Sequence, residues 1–192
     1  MSHIANPFVV ILDANVLYPF RMRDVLLTFA QQGPFRARFT ADINEEWTGN
    51  LIANKPDLEE SVRQQATIIA TVFGDCLVEG YEPLIQGLNL PDRNDRHVLA
   101  AAIKCSAQII VTENQKDFPT DILDQYGIEA LGADDMLANT YDLFPIEGAR
   151  ALKAVRARYE NPPFSPSEFL LDLTKCGMPK LAAMARTGIE YL

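Results

Sequence analysis

The sequence predicts an α/β fold: a parallel twisted sheet of four to five strands flanked by helices, followed by an all-helical C-terminal extension. Three observations carry this. Residues 8–12 and 109–112 are short, continuous, largely β-branched apolar runs, which suit strands covered on both faces of a parallel sheet. The stretches between them repeat apolar residues at amphipathic-helix spacing. After about Asp142 the strand-like runs stop. A chain of 192 residues, 48% hydrophobic and 22% charged, buries a sizeable core without disulfides or a structural metal.

In chain order, the first strand ends at Asp13-Ala14-Asn15. Val25, Leu26, Phe29 and Ala30 then return with helical spacing, stopped at Gly33-Pro34. Phe39-Thr40 closes a short second strand, and Ile43, Trp47 and Leu51 mark an amphipathic helix with Trp47 in its core stripe. Residues 57–73 form a helix ended by Gly74, and residues 76–81 can form a strand. Asn89-Leu90-Pro91-Asp92 is a turn, and Asn94 or Asp95 opens an alanine-rich helix over 96–105. The strand at 109–112 leads into Glu113-Asn114 and Asp117-Phe118-Pro119, and a weaker strand at 128–131 precedes a helix over 134–139. Residues 145–159 form a basic helix with Arg150, Lys153, Arg156 and Arg158. Ser165-Pro166-Ser167-Glu168 is a capping box opening a helix to Lys175, and a last helix begins near Pro179. The expected division is an α/β domain over 1–142 and a helical extension over 143–192.

Net charge is −9 and the pI about 4.7, which argues against a surface that coats nucleic acid by broad phosphate neutralisation. It leaves room for an enzyme that grips phosphate through divalent cations, whose ligands are themselves carboxylates. Cys76, Cys105 and Cys176 lack CxxC spacing, so neither a disulfide framework nor a zinc site is expected, in keeping with a reducing compartment. The first residues carry no basic region, and the early apolar run is broken by Asp13 and Asn15. That reads as a buried strand and not a signal peptide, with His3 in a frayed terminus. No run reaches the ~18 apolar residues of a membrane span, so a cytoplasmic, membrane-free protein is expected.

The acids fall where an open α/β sheet binds its ligands, at the carboxyl ends of strands. Asp13 follows the first strand; Asp92 and Asp95 open the alanine-rich helix; Glu113 and Asp117 follow the 109–112 strand; Glu45 and Glu46 stand in the first turns of the helix after the second strand. Two carboxylates ~4 Å apart repel by about 4 kcal/mol at an effective dielectric of ~20. Either some are protonated or a cation neutralises them. Oxygen ligands without Cys or His point to Mg²⁺ or Mn²⁺ and to phosphoryl chemistry.

Over roughly residues 7–138 these pieces resemble the PIN-domain ribonucleases, and among them the VapC-type toxins of bacterial toxin–antitoxin pairs. The resemblance rests on VVILDANVL, FTADINEEW, LPDRNDRHVLAAAI and IIVTENQKDFP, in that order. The tail resembles the extension of a longer VapC-like subgroup. The resemblance implies a PIN-like sheet and metal-dependent hydrolysis of RNA, leaving a 5′-phosphate and a 3′-hydroxyl. It implies Asp13, Asp95, Asp117 and Glu46 as catalytic and metal-holding acids, with Glu45 competing with Glu46 and Asp92 one turn before Asp95. Asn15, Thr112 and Asn114 would fix carboxylate orientation. It also implies an RNA substrate, a small antitoxin partner and a homodimer.

Plainer roles stand beside these. Asp13, Asp92 and Asp95 suit helix capping, which is compatible with metal binding. Glu45 and Glu46 diverge by ~100° around a helix, so one is a solvated charge. Glu113 is expected in solvent. His97, one residue inside the Asp95 helix and facing away from its N-cap, is expected to be structural or at the surface. The basic helix suits a solvated face, an RNA-tracking surface or an antitoxin contact. Two other functions remain in view. One is a non-catalytic PIN-fold module binding RNA or protein. The other is an aspartyl-phosphate phosphatase, for which Asn15 stands where a second acid belongs.

Overall fold

In the computed structural model, which describes residues 7–192, the expected α/β architecture is present; His3 lies outside the described residues. The elements run β1 (Phe8–Leu12), α1 (Ala14–Leu17), α2 (Phe20–Gln32), β2 (Phe35–Arg38), α3 (Ala41–Asn54), α4 (Glu59–Val72), α5 (Glu82–Ile85) and α6 (Arg96–Lys104). They continue with β3 (Ile109–Val111), α7 (Thr120–Leu123), β4 (Glu129–Leu131), α8 (Ala133–Leu143), α9 (Pro145–Ala157), α10 (Pro166–Lys175) and α11 (Pro179–Ala185). The sheet has four strands in the order β2-β1-β3-β4. The β1–β3 and β3–β4 pairs are parallel, with Leu12 opposite Val111 and Val111 opposite Leu131.

Two compact units emerge from this chain. The sheet-bearing unit comprises Phe8–Tyr18 and Ala37–Leu131; the other, helical apart from its share of β2, includes Pro19–Arg36 and Gly132–Leu192. In the first unit α6 packs on β1 and β3 through Val98, Leu99, Ala100, Ala101 and Ala102, all fully buried. Four alanines and valines on one short helix bring its backbone close to the strands, which seats the start of α6 beside the strand ends. Each large aliphatic side chain such as Ile11, Leu12 or Ile110 contributes roughly 1.5–3 kcal/mol by leaving water. In the second unit α9 packs on α2, and α11 on α8 and α10.

Three expectations about elements need correction. The second strand lies at Phe35–Arg38, earlier than Phe39-Thr40, because Thr40 is already the N-cap of α3 and accepts from the Ile43 amide at 3.0 Å. Residues 76–81 form no strand; Leu77 makes an isolated bridge to Phe39, and Gly80, at φ +68°, turns the chain away. The helix expected over 57–73 begins as a 3₁₀ turn at Pro56–Leu58 before α4. The capping box at Ser165 and Glu168 forms as expected, both halves present. Trp47 is fully buried with its indole N–H on Asn44 Oδ1 at 2.7 Å.

Candidate active site

The end of β1 delivers Asp13 into a dense hydrogen-bond network. Its backbone N–H still belongs to the sheet, donating to Val111 O at 3.1 Å. Its side chain, 5% exposed, caps α1. Oδ1 accepts from the Ala14 amide at 2.7 Å; Oδ2 accepts from Asn15 Nδ2 at 2.6 Å and from the Thr112 hydroxyl at 2.7 Å. Burial raises the Asp13 pKa, and the donors, Thr112 foremost, act against that rise. Capping and site-building thus coexist at this residue.

Thr112 is saturated. Its hydroxyl donates to Asp13 and accepts from Asn15 Nδ2 at 2.9 Å and from the Asn114 amide at 3.0 Å, one donor and two lone pairs in use. Asn15 uses Oδ1 for the Glu113 amide at 3.0 Å, which fixes the orientation of its side-chain amide. Asn114 Nδ2 in turn donates to Asp117 Oδ2. A continuous chain of polar contacts therefore runs from Asp13 to Asp117 through Asn15, Thr112 and Asn114. Asn15, a carboxamide, donates to Asp13 at the position where an aspartyl-phosphate site carries its second acid.

Asp95 is the perturbed member. It occupies the N-cap position of α6, yet its side chain makes no capping hydrogen bond, and Oδ2 is buried without a partner among the described residues. Burial raises its pKa to about 7, and the charges of Asp13, Asp92, Asp117 and Glu46 all push the same way. The capping role expected for Asp95 is therefore not the one its side chain plays. Asp92 does act locally, accepting from the Asn94 amide at 2.8 Å.

Glu46, and not Glu45, faces these acids. Its pKa is raised by burial and by Asp13, whereas Glu45 lines a groove with Thr48, Arg63 and Thr67 of α3 and α4. The Glu113 side chain is exposed, as expected. His97 is largely enclosed, which suits the structural role expected of it. Its side chain is 17% exposed, and its Nε2 lies 3.8 Å from Glu46 Oε2. Its Nδ1 is buried without a hydrogen bond, and burial lowers its pKa. Asp42, four residues before Glu46 on α3, acts electrostatically on His97 and accepts from the buried Tyr81 hydroxyl at 2.6 Å. Spacing of four puts Asp42 and Glu46 on one helical face, a signal that was open to sequence reading. The approach of His97 depends on how α3 and α6 meet and had no such signal.

The donor set is compatible with a divalent cation. Carboxylates, an amide and a hydroxyl supply only hard oxygen ligands, and the orphaned Asp95 oxygen is the kind of group a cation satisfies. Among the described residues no three His, Cys, Asp or Glu side chains are gathered tightly enough to enclose an ion by themselves. Mg²⁺ does not demand that, since it keeps several waters and takes one or two carboxylates directly.

The family profile described as PIN domain matches residues 9–116, more than half of the chain. The chain belongs to the PIN domain family. The match takes in Asp13, Glu46 and Asp95 of this PIN domain and stops one residue short of Asp117. A second profile, described as VapC50 C-terminal domain, matches residues 133–187. A protein of Mycobacterium tuberculosis named "Putative ribonuclease VapC50" is 42% identical over 107 residues, 56% of this chain and 62% of its own length. The PIN-domain chain thus aligns with less than two thirds of that relative. No solved structure matches.

Proposed function

We propose that this PIN domain is a Mg²⁺- or Mn²⁺-dependent endoribonuclease, acting in the cytoplasm as the toxin of a toxin–antitoxin pair whose small partner protein restrains it. The observation that carries the nuclease reading is the buried, unpartnered Asp95 oxygen amid four other carboxylates. Such an arrangement is costly in isolation and favourable once a cation is present. The name of the 42%-identical relative supports RNA as substrate and the toxin role.

Asp13, Asp95 and Asp117 are the residues assigned to hold the cation, with Glu46 at the rim. When bound, a divalent cation eases deprotonation of the attacking water and offsets charge gathering on the phosphate and the leaving oxygen. The chain's own groups do the rest. Ala14, Asn15 and Thr112 aim the Asp13 carboxyl and act against the rise in its pKa that burial causes. Asn114 Nδ2 orients the Asp117 carboxyl through its hydrogen bond to Oδ2. Asp95 gives up its proton on loading. Glu46, half exposed and 3.8 Å from His97 Nε2, is placed to orient water at the open side.

Cleavage of a mixed-sequence RNA with Mg²⁺, Mn²⁺ or EDTA, for wild type and Asp13→Asn, tests the proposal. Metal-dependent products bearing 5′-phosphates, absent in the variant, are expected. RNA binding without cleavage in any metal would favour the non-catalytic module instead.

A further inference from the structure

The four cations that make 145–159 a basic segment do not serve one purpose. Arg156 donates to the carbonyls of Phe164 at 2.6 Å and Leu192 at 3.2 Å, and Arg158 pairs with Asp24 and donates to Thr28 at 3.0 Å. Those two fasten helices to one another. Arg150 and Lys153 are exposed, three residues apart on α9, and neither makes a hydrogen bond or ion pair among the described residues. Both border a half-open cavity of ≈ 500 Å³ whose walls also include Tyr141, Ile146, Thr187 and Tyr191.

The cavity is shaped around Tyr141. A Cβ on Gly148 would stand 2.6 Å from the Tyr141 ring, so this glycine makes room for the side chain, and Gly188 lies alongside its hydroxyl. The hydroxyl has no hydrogen-bond partner among the described residues. Tyr191 is 64% and Ile146 62% exposed. The Glu190 carboxylate acts on Tyr141 but does not line the cavity.

We propose that this cavity takes one nucleotide of a single-stranded RNA, its base against Tyr191 and Ile146 and the adjoining phosphates on Arg150 and Lys153. The proposal deepens the ribonuclease reading and rests on it for the choice of RNA. Ligand sites commonly measure roughly 300–1,000 Å³, and this one suits a single planar group. An exposed aromatic ring beside unpaired cations is the combination that single strands exploit, by sequence-tolerant stacking and by phosphate attraction. In a chain of net charge −9, two neighbouring cations without a carboxylate partner mark a local anion-facing surface. An acidic peptide helix matches the cations less well, because its anchors spread over about 10 Å from i to i+7.

The test uses the full chain in EDTA with a fluorescein-labelled single-stranded 8-nucleotide RNA, followed by anisotropy across a salt series. Tyr191→Ala should weaken binding about 5- to 100-fold, with Tyr191→Phe close to wild type. Arg150→Ala with Lys153→Ala should flatten the slope of log K against log salt by about 0.7 for each cation removed. Wild-type affinity and slope in these variants would overturn the proposal, as would no oligomer binding at all. Tighter binding of free AMP than of the oligomer, or displacement of the RNA by a Glu-rich peptide of tighter affinity, would also overturn it. Mg²⁺-dependent cleavage is measured in parallel. Loss of cleavage activity from the wild type with variant-sensitive binding would sink the nuclease reading and keep this site. Cleavage with variant-insensitive binding would do the reverse.

Discussion

Thr112→Val isolates what a single hydroxyl does for the acid network. The side chain is fully buried, and valine keeps its branched shape while deleting the donor to Asp13 Oδ2. A hydrogen bond to a charged group is worth about 1.5–3 kcal/mol. The Asn114 amide also loses its acceptor, adding up to about 1 kcal/mol because it is only partly buried. Asn15 keeps its second partner, Asp13, at 2.6 Å. The expected loss is thus about 2–4 kcal/mol while Asp13 is ionised. The sign with pH follows. Thr112 favours the charged carboxylate, so its removal raises the Asp13 pKa further above 3.8. Protonated Asp13 depends less on that donor, and the deficit shrinks as pH falls through the folded pKa. Urea denaturation of wild type, Thr112→Val and Thr112→Ser in EDTA, from pH 4 to 8, gives the assay. Thr112→Ser should recover all but about 1 kcal/mol, the share of its lost methyl. Equal deficits for the valine variant at every pH would refute the reasoning and reduce Thr112 to packing.

Asp95, with its pKa raised from 3.8 to about 7, holds a proton in the folded chain that the unfolded chain releases. Its contribution to metal-free stability is therefore full below about pH 4 and lost as pH rises through 7. The unscreened shift is worth about 4 kcal/mol, and for a partly exposed group solvent screening leaves about 1–2 kcal/mol. In EDTA, then, Asp95→Asn should be more stable than wild type by about that amount at pH 8 and nearly equal to it at pH 4, read by thermal or urea unfolding. Saturating Mg²⁺ should close or reverse that gap: wild type gains about 2.7 kcal/mol at a hundred times Kd, while the variant, binding at least about tenfold more weakly, gains at most about 1.4 kcal/mol and cleaves no RNA. Gly148→Ala should cost about 1–3 kcal/mol, because its Cβ would meet the Tyr141 ring at 2.6 Å. A melting midpoint equal to that of wild type would show that the ring moves freely.

What the sequence made legible follows burial. β1 and β3 are apolar on both faces, and α6 repeats alanines against them, so the pattern alone placed them and the acids that flank them. The end of β2 was read one or two residues late and its start not at all, because Phe35-Arg36-Ala37-Arg38 buries alternate residues and lacks the apolar run that signals a covered strand. The 76–81 stretch had strand-like composition but was turned aside at Gly80. Strand-end placement put Asp13, Asp92, Asp95, Glu113, Asp117 and the Glu45–Glu46 pair in view, and the family resemblance singled out Asp13, Glu46, Asp95 and Asp117, with Asn15, Thr112 and Asn114 beside them. The neighbour of His97 was not legible, for a physical reason. Helical phase sets it away from Asp95, but α3 brings Glu46 to it from another element. Asp95 looked like a cap, and only tertiary structure reveals that its oxygen has no capping partner.

The central claim is that these acids form one site for a divalent cation. Calorimetric titration of Mn²⁺ into the full chain at pH 7, repeated in buffers of different ionisation enthalpy, tests it most directly. With Asp95 near its pKa of about 7, loading should release about half a proton per ion. Asp95→Asn should abolish that release and weaken binding at least about tenfold. Equal affinity in the two proteins, with no proton released by either, would contradict the account.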